Sequence, residues 1–124
     1  MDEAEAERFA QGWISAWNGR DVEAVLALYD DEVVFTSPTT LAVIGRPTVK
    51  GKAELRDYWQ RALAQHSTLK FSLERVLWDA NARELAIVYT SEINGRSKRV
   101  AELFRFGAGA LVVETEVFHG LVPT

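Results

Sequence analysis

The sequence predicts an α+β domain, and three observations carry that reading. Apolar residues recur at helical spacing in the first half of the chain and at a spacing of two in the second half. The period changes after Ser67, and turn dipeptides then divide the second half into strands. Helices first and a run of hairpin-linked strands second give helices packed on one face of an antiparallel meander. At 124 residues this is one domain, 1–124, with no internal repeat, low-complexity tract or linker.

The elements follow in chain order. Ala6, Phe9, Trp13 and Trp17 share one face of a helix predicted from about Glu3 to Trp17, with Glu3, Glu5 and Glu7 at its positive end. Asn18-Gly19 ends it. Asp21 is an N-cap for a second helix whose apolar face is Val22, Val25, Leu26 and Tyr29, broken by Asp30-Asp31. Val33 to Phe35 reads as a brief strand. Residues 36 to 51 hold Pro38, Gly45, Pro47 and Gly51, which predicts a long loop with a short extended piece at Leu41 to Ile44. A third helix runs from about Lys52 to Gln65, with its stripe on Leu55, Tyr58, Trp59, Ala62 and Leu63. Leu69, Phe71, Leu73 and Leu77 then mark a strand. Strands from about Glu84 to Ile93 and Ser97 to Phe106 flank Asn94-Gly95, a strong hairpin signal. A last strand spans about Leu111 to Gly120.

Composition narrows the function. With 14 basic and 18 acidic side chains the net charge is −4, which argues against a nucleic-acid partner. The chain has no cysteine, so disulfides, thiolate chemistry and cysteine metal sites are excluded. No apolar run approaches membrane-spanning length, and the acidic opening MDEAEAERFA lacks the apolar stretch of a signal peptide, so a cytoplasmic protein without a membrane partner is expected. Glycine-rich phosphate loops and the G-x-S-x-G nucleophile motif are absent. His66 sits at the end of the third helix, where a cation suits the dipole, and His119 reads as a surface residue. Their separation does not suggest a metal site, and no cofactor is expected.

The candidate chemistry lies in strand carboxylates. Glu102 shares a strand face with Val100, Phe104 and Phe106, so it is expected to point inward. A carboxyl in apolar surroundings is costly unless paired or protonated, and so tends to mark function. Val112, Glu114, Glu116 and Phe118 share one face of the last strand. Either the two glutamates are ordinary solvent-side charges, or this face, apolar at both ends, lines a cavity.

The segments AWNGRDVEAVLALYDDEVVFTSP, VKGKAELRDYWQRAL and ELFRFGAGALVVETEVF resemble the SnoaL-like branch of the nuclear transport factor 2-like superfamily over nearly the whole chain. The resemblance implies a curved antiparallel sheet wrapped around three helices, a cystatin-like α+β cone with a deep pocket. Relatives include ketosteroid isomerase, limonene-epoxide hydrolase, scytalone dehydratase, polyketide cyclases and many non-enzymes, so the site must decide function.

Carried over position by position, the isomerase's base falls at Ser37, its oxyanion tyrosine at Trp13 and its protonated oxyanion aspartate at Glu102. A supporting tyrosine falls at Trp59, and the tyrosine ending the second helix is kept as Tyr29. Glu116 matches the later-strand carboxylates of the cyclases and the epoxide hydrolase. The resemblance therefore names Glu102 and Glu116 as catalytic candidates. Trp13, Trp17, Tyr29, Phe35, Ser37, Trp59, Phe104 and Phe118 become ligand-binding candidates, although such aromatics also simply fill cores.

A small flat hydrophobic molecule is the implied ligand. Either the protein is a cofactor-free isomerase, cyclase or hydrolase, or it is a non-catalytic binding or interaction domain. An inward Glu102 should keep its proton to unusually high pH unless Arg46 or Arg105 lies beside it. If Glu116 faces the cone, then Leu111, Val113, Thr115 and Val117, with Ala101 and Leu103, form an outer apolar face suited to a homodimer.

Overall fold

A computed structural model describes residues 1–123. Helix α1 (Glu3–Asn18) begins in a capping box: Asp2 Oδ1 accepts from the Glu5 N–H at 2.8 Å, and Glu5 Oε1 accepts from the Asp2 N–H at 3.2 Å. It buries Ala6, Ala10, Trp13, Ile14 and Trp17. Asp21 caps α2 (Val22–Leu26) through the Ala24 N–H at 3.0 Å. This helix stops earlier than expected. Tyr29 opens strand β1 (Tyr29–Thr36) and pairs with Val112, so sheet pairing overrides the helical spacing, and Asp30-Asp31 lies inside the strand rather than breaking a helix.

The expected long loop holds two further elements. Helix α3 (Pro38–Ile44) starts with Ser37 as N-cap and Pro38 in its first turn and ends at Gly45 (φ 78°), a left-handed cap that favours glycine. The extended piece expected at Leu41 to Ile44 is thus helical. Strand β2 (Thr48–Lys50) pairs antiparallel with β1. Helix α4 (Lys52–Ala64) follows, burying Leu55, Tyr58 and Trp59.

Strands β3 (Leu69–Asp79), β4 (Glu84–Ile93), β5 (Arg96–Phe106) and β6 (Val112–Gly120) form the meander. Asn94 and Gly95 both have positive φ, the geometry of a tight two-residue hairpin turn, and lock Tyr89 opposite Val100 and Ile87 opposite Glu102. The sheet order is β2-β1-β6-β5-β4-β3. All pairs are antiparallel except β1 with β6, which run parallel, a pairing the meander alone did not foretell. Helix α1 lies against β3, while α4 covers β1 and β2. Asn18 secures the first contact by exchanging two hydrogen bonds with the Phe71 backbone (2.7 and 2.9 Å) on the edge strand.

Two bulges within the meander decide which of its side chains face the helices. One, between Leu73 and Arg75, turns Val76 and Trp78 toward the core and leaves Leu77 53% exposed, against the simple alternation. The other shifts β6 against β5 between the Phe106–Val112 and Arg105–Glu114 pairs. Beyond it Thr115 and Val117 point inward, while Glu114, Glu116 and Phe118 point outward. The expectation that Glu116 and Phe118 line the cone, with Thr115 and Val117 outside, is therefore corrected. One inserted residue flips the face of everything after it.

These assignments predict unequal costs for core and surface truncations. Phe104→Ala, at a fully buried position, should destabilise by about 3–5 kcal/mol in urea unfolding, whereas Leu77→Ala should cost less than about 1 kcal/mol.

Candidate functional site

The helices and the concave sheet face enclose a cavity of about 550 Å³, within the size range of small-molecule sites. Helix α1 supplies Trp13 and Trp17, α4 supplies Tyr58 and Trp59, β1 supplies Phe35, and β3 supplies Phe71. The walls brace one another edge to face. Trp17 meets Trp59 with ring centres 4.8 Å apart, Trp13 meets Phe104 at 5.2 Å, and Tyr29 meets Trp59 at 5.6 Å.

Glu102 lines this cavity on the inner face of β5 and is 3% exposed. Its flanking strands supply its partners. The Thr115 hydroxyl, from β6, donates to Oε2 at 2.9 Å, and the Tyr89 hydroxyl, from β4, donates to Oε1 at 3.3 Å. Burial raises the carboxyl from its ordinary 4.5 to about 7, the two hydrogen bonds only partly offsetting it. The arginines that would have reversed this are engaged elsewhere: Arg46 pairs with Glu54, and Arg105 pairs with Glu114 at 2.6 Å on the outer side. Burial, and then the negative charge of Glu102, push the Tyr29 and Tyr89 phenols well up, so both remain neutral hydroxyls. The Trp13 indole N–H donates to the Tyr29 hydroxyl at 3.0 Å, so Trp13 presents its ring rather than a free donor to the cavity.

The expected residues divide into three groups. Trp13, Trp17, Phe35, Ser37, Trp59 and Glu102 line the cavity together. Tyr29 and Phe104 are fully buried and brace the walls without lining it. Glu116 and Phe118 lie on the opposite side of the sheet, Phe118 being 45% exposed. Ser37 Oγ accepts from the Thr39 N–H at 3.2 Å, so this hydroxyl caps α3 where the resemblance had put a base.

Sequence reasoning missed Tyr89 and Thr115. The Asn94-Gly95 register was sufficient to find Tyr89, because it sets Tyr89 one same-face step from Glu102 across the hairpin. Thr115 depends on the β6 bulge, which has no plain sequence signal. His66, half-buried and following α4, and His119, exposed at the end of β6, both belong to the cavity rim. Burial lowers the basicity of each, helped by Arg20 at His66 and Lys98 at His119. Among the described residues, no group of three or more histidines and carboxylates is placed to hold a metal, and no helix is long and apolar enough to cross a membrane.

A pH dependence of stability follows. Between its ordinary 4.5 and about 7, Glu102 keeps its proton in the native state but loses it in the unfolded chain. Its contribution is therefore complete below pH 4.5 and is lost as pH rises through 7, a change of about 3 kcal/mol. Urea unfolding of the wild type and Glu102→Gln at pH 4 and pH 8 should show the wild type losing about that much more than the variant.

The model of the SnoaL-like domain family matches residues 10–115. A SnoaL-like protein of unknown function from Burkholderia thailandensis superposes with a TM-score of 0.88 at 28% identity, over 96% of this chain and 97% of that one. A putative ketosteroid isomerase from Kribbella flavida (TM-score 0.76, 16% identity, 98% and 82% covered) shares the fold. So does BvnE pinacolase from Penicillium brevicompactum (0.77, 16%, 94% and 84%). Comparison with curated proteins gave no match. With most of its length matched by the family model and its helices and sheet superposing closely on a SnoaL-like structure, the chain belongs to the SnoaL-like domain family.

Proposed function

We propose that this protein is a cofactor-free acid-base enzyme acting on a flat hydrophobic molecule, with Glu102 as its proton-carrying group. The observation that carries the reading is a carboxyl inside an aromatic cavity, held by two hydroxyls and poised near pH 7. A general acid or base works best with a pKa near the working pH. In its neutral form Glu102 donates a hydrogen bond or a proton to a ligand oxygen, a carbonyl or an ether, while Tyr89 and Thr115 hold its two oxygens and stabilise the anion left behind.

Among the described residues only one carboxyl lines the cavity, since Glu116 faces away. A single group that gives a proton and takes it back suits rearrangement or ring closure within one molecule better than hydrolysis, which needs a second group to activate water. The folds shared with a putative isomerase, a pinacolase and an epoxide hydrolase/cyclase-like enzyme of pyran ring formation support that class. A binding-only reading is favoured by the Trp13 N–H, which donates to Tyr29, and by the Ser37 oxygen, which accepts from the Thr39 N–H as a helix cap.

One experiment separates the readings. Flat polycyclic ketones, enones and epoxides are screened for binding by thermal shift and for conversion by NMR. The catalytic reading expects a ligand that the wild type converts, at a rate governed by a group near pH 7, and that Glu102→Gln binds but converts at least 100-fold more slowly. Equal conversion by both proteins would overturn it. Binding without conversion by either would leave the binding-only reading.

We also propose a homodimer through the outer sheet face, where Ala101 pairs with Phe118 and Leu103 with Glu116 across β5 and β6. This face is smaller and more polar than the one expected from the sequence, because Thr115 and Val117 turn inward. Sedimentation at micromolar concentration should give twice the 13.9 kDa chain mass, and Phe118→Asp should return the monomer.

A further inference from the structure

The cavity has two chemically opposite ends. Arg96, Lys98, Val100 and Glu102 alternate along the inner face of β5, and all four line the cavity. At ~3.3 Å per strand residue, Lys98 lies about 13 Å and Arg96 about 20 Å along the strand from Glu102, toward the mouth. Glu102 is the sole carboxylate in the lining, and no carboxylate lies within 4 Å of the Arg96 or Lys98 charge among the described residues. The next strand-5 cation, Arg99, faces the other side and is held by Glu74 at 2.8 Å. On a chain of net charge −4, the rim of the cavity is thus locally basic.

The rim is also braced by hydrogen bonds. Asn94, in the β4–β5 turn, accepts from the Ser67 N–H at 2.8 Å and the Ser67 hydroxyl at 2.9 Å, and its amide donates to the Gln65 carbonyl at 3.2 Å. The hairpin that bears Arg96 and Lys98 is thereby tied to the end of α4. Ser91, buried opposite Lys98 on β4, adds a hydroxyl to the same wall.

We infer that the ligand is an amphipathic carboxylic acid: its carboxylate meets Arg96 and Lys98 at the mouth, its flat apolar body lies among the tryptophans, and a carbonyl or ether oxygen reaches Glu102. The inference rests on the proposed reading of this cavity as the ligand site and adds its substrate class. Two cations on one braced strand provide charge-assisted hydrogen bonds to a carboxylate. They also raise the local concentration of anions over neutral analogues.

The test uses a matched pair of probes: a biphenyl with an acetyl group at one para end and a carboxylic acid at the other, and its methyl ester. Binding is read from quenching of the cavity tryptophans in 20 mM and 300 mM salt. The wild type should bind the acid at least tenfold more tightly than the ester at low salt, with the preference shrinking at high salt. The variant Arg96→Gln/Lys98→Gln, altered only at exposed positions, should bind both equally and keep the ester affinity of the wild type. Equal affinities in the wild type, a preference for the ester, or binding of neither probe would overturn the inference. So would an acid preference that survives in the double variant. The outcome is independent of catalysis: an acid preference can hold while Glu102→Gln leaves conversion unchanged, which would sink the enzyme reading alone.

Discussion

The structure turns on one buried carboxyl. Glu102 sits where a charge is costly, with no cation beside it, and it is tolerated because both oxygens accept hydroxyl hydrogen bonds. Those hydroxyls come from the strands on either side, so the solution demands the right register twice. Tyr89 must align through the β4–β5 turn, and Thr115 must align through the β5–β6 bulge. The acidity of Glu102 is then a product of the same packing. Aromatic walls exclude water and favour the proton, while Thr115 and Tyr89 partly restore the anion, leaving the group near neutrality.

The aromatic residues serve both stability and site. Tyr29 and Phe104 are wholly buried and never line the cavity, yet they hold Trp59 and Trp13 in place through edge-to-face contacts. A hydrophobic core that stopped at filling space would leave no cavity. Here the tryptophans stand as walls around the volume they leave open, and the sheet meets them directly: Phe71 and Tyr89 both pack against Trp13 of α1 and against each other. The indole N–H of Trp13, a polar atom in an apolar setting, is satisfied by Tyr29.

What could be read in the sequence divides along physical lines. Features set by local rules were legible: the face of α1, the Asp21 cap, the Asn94-Gly95 turn and, through strict alternation on β5, the inward carboxyl of Glu102. Features set by tertiary pairing were not. Tyr29 fits a helical face equally well, and only the β6 strand claims it for β1. Ser37-Pro38 and Gly45 bound α3, but with Pro47 and Gly51 close by they read as a loop. The side of the sheet taken by Glu116, Phe118 and Thr115 rests on one inserted residue in β6. Period-two reasoning across a bulge gives the wrong face with no local warning. The candidate site was accordingly legible as far as Glu102 and the helix tryptophans, and illegible in the partners that tune that carboxyl.

The mismatch between the two ends of the cavity bears on how a ligand would act once inside. An occupied cavity holds less water than an empty one, so a flat apolar body against the tryptophans lowers the effective dielectric around Glu102 and favours its protonated form further. That form is the one able to donate to a ligand oxygen. Arg96 and Lys98 stand too far along the strand to set this balance, so the proton of Glu102 is governed by burial and by its two hydroxyl partners. In the proposed reading, filling the cavity thus reinforces the protonated form, while the cations at the mouth select the ligand without disturbing the carboxyl.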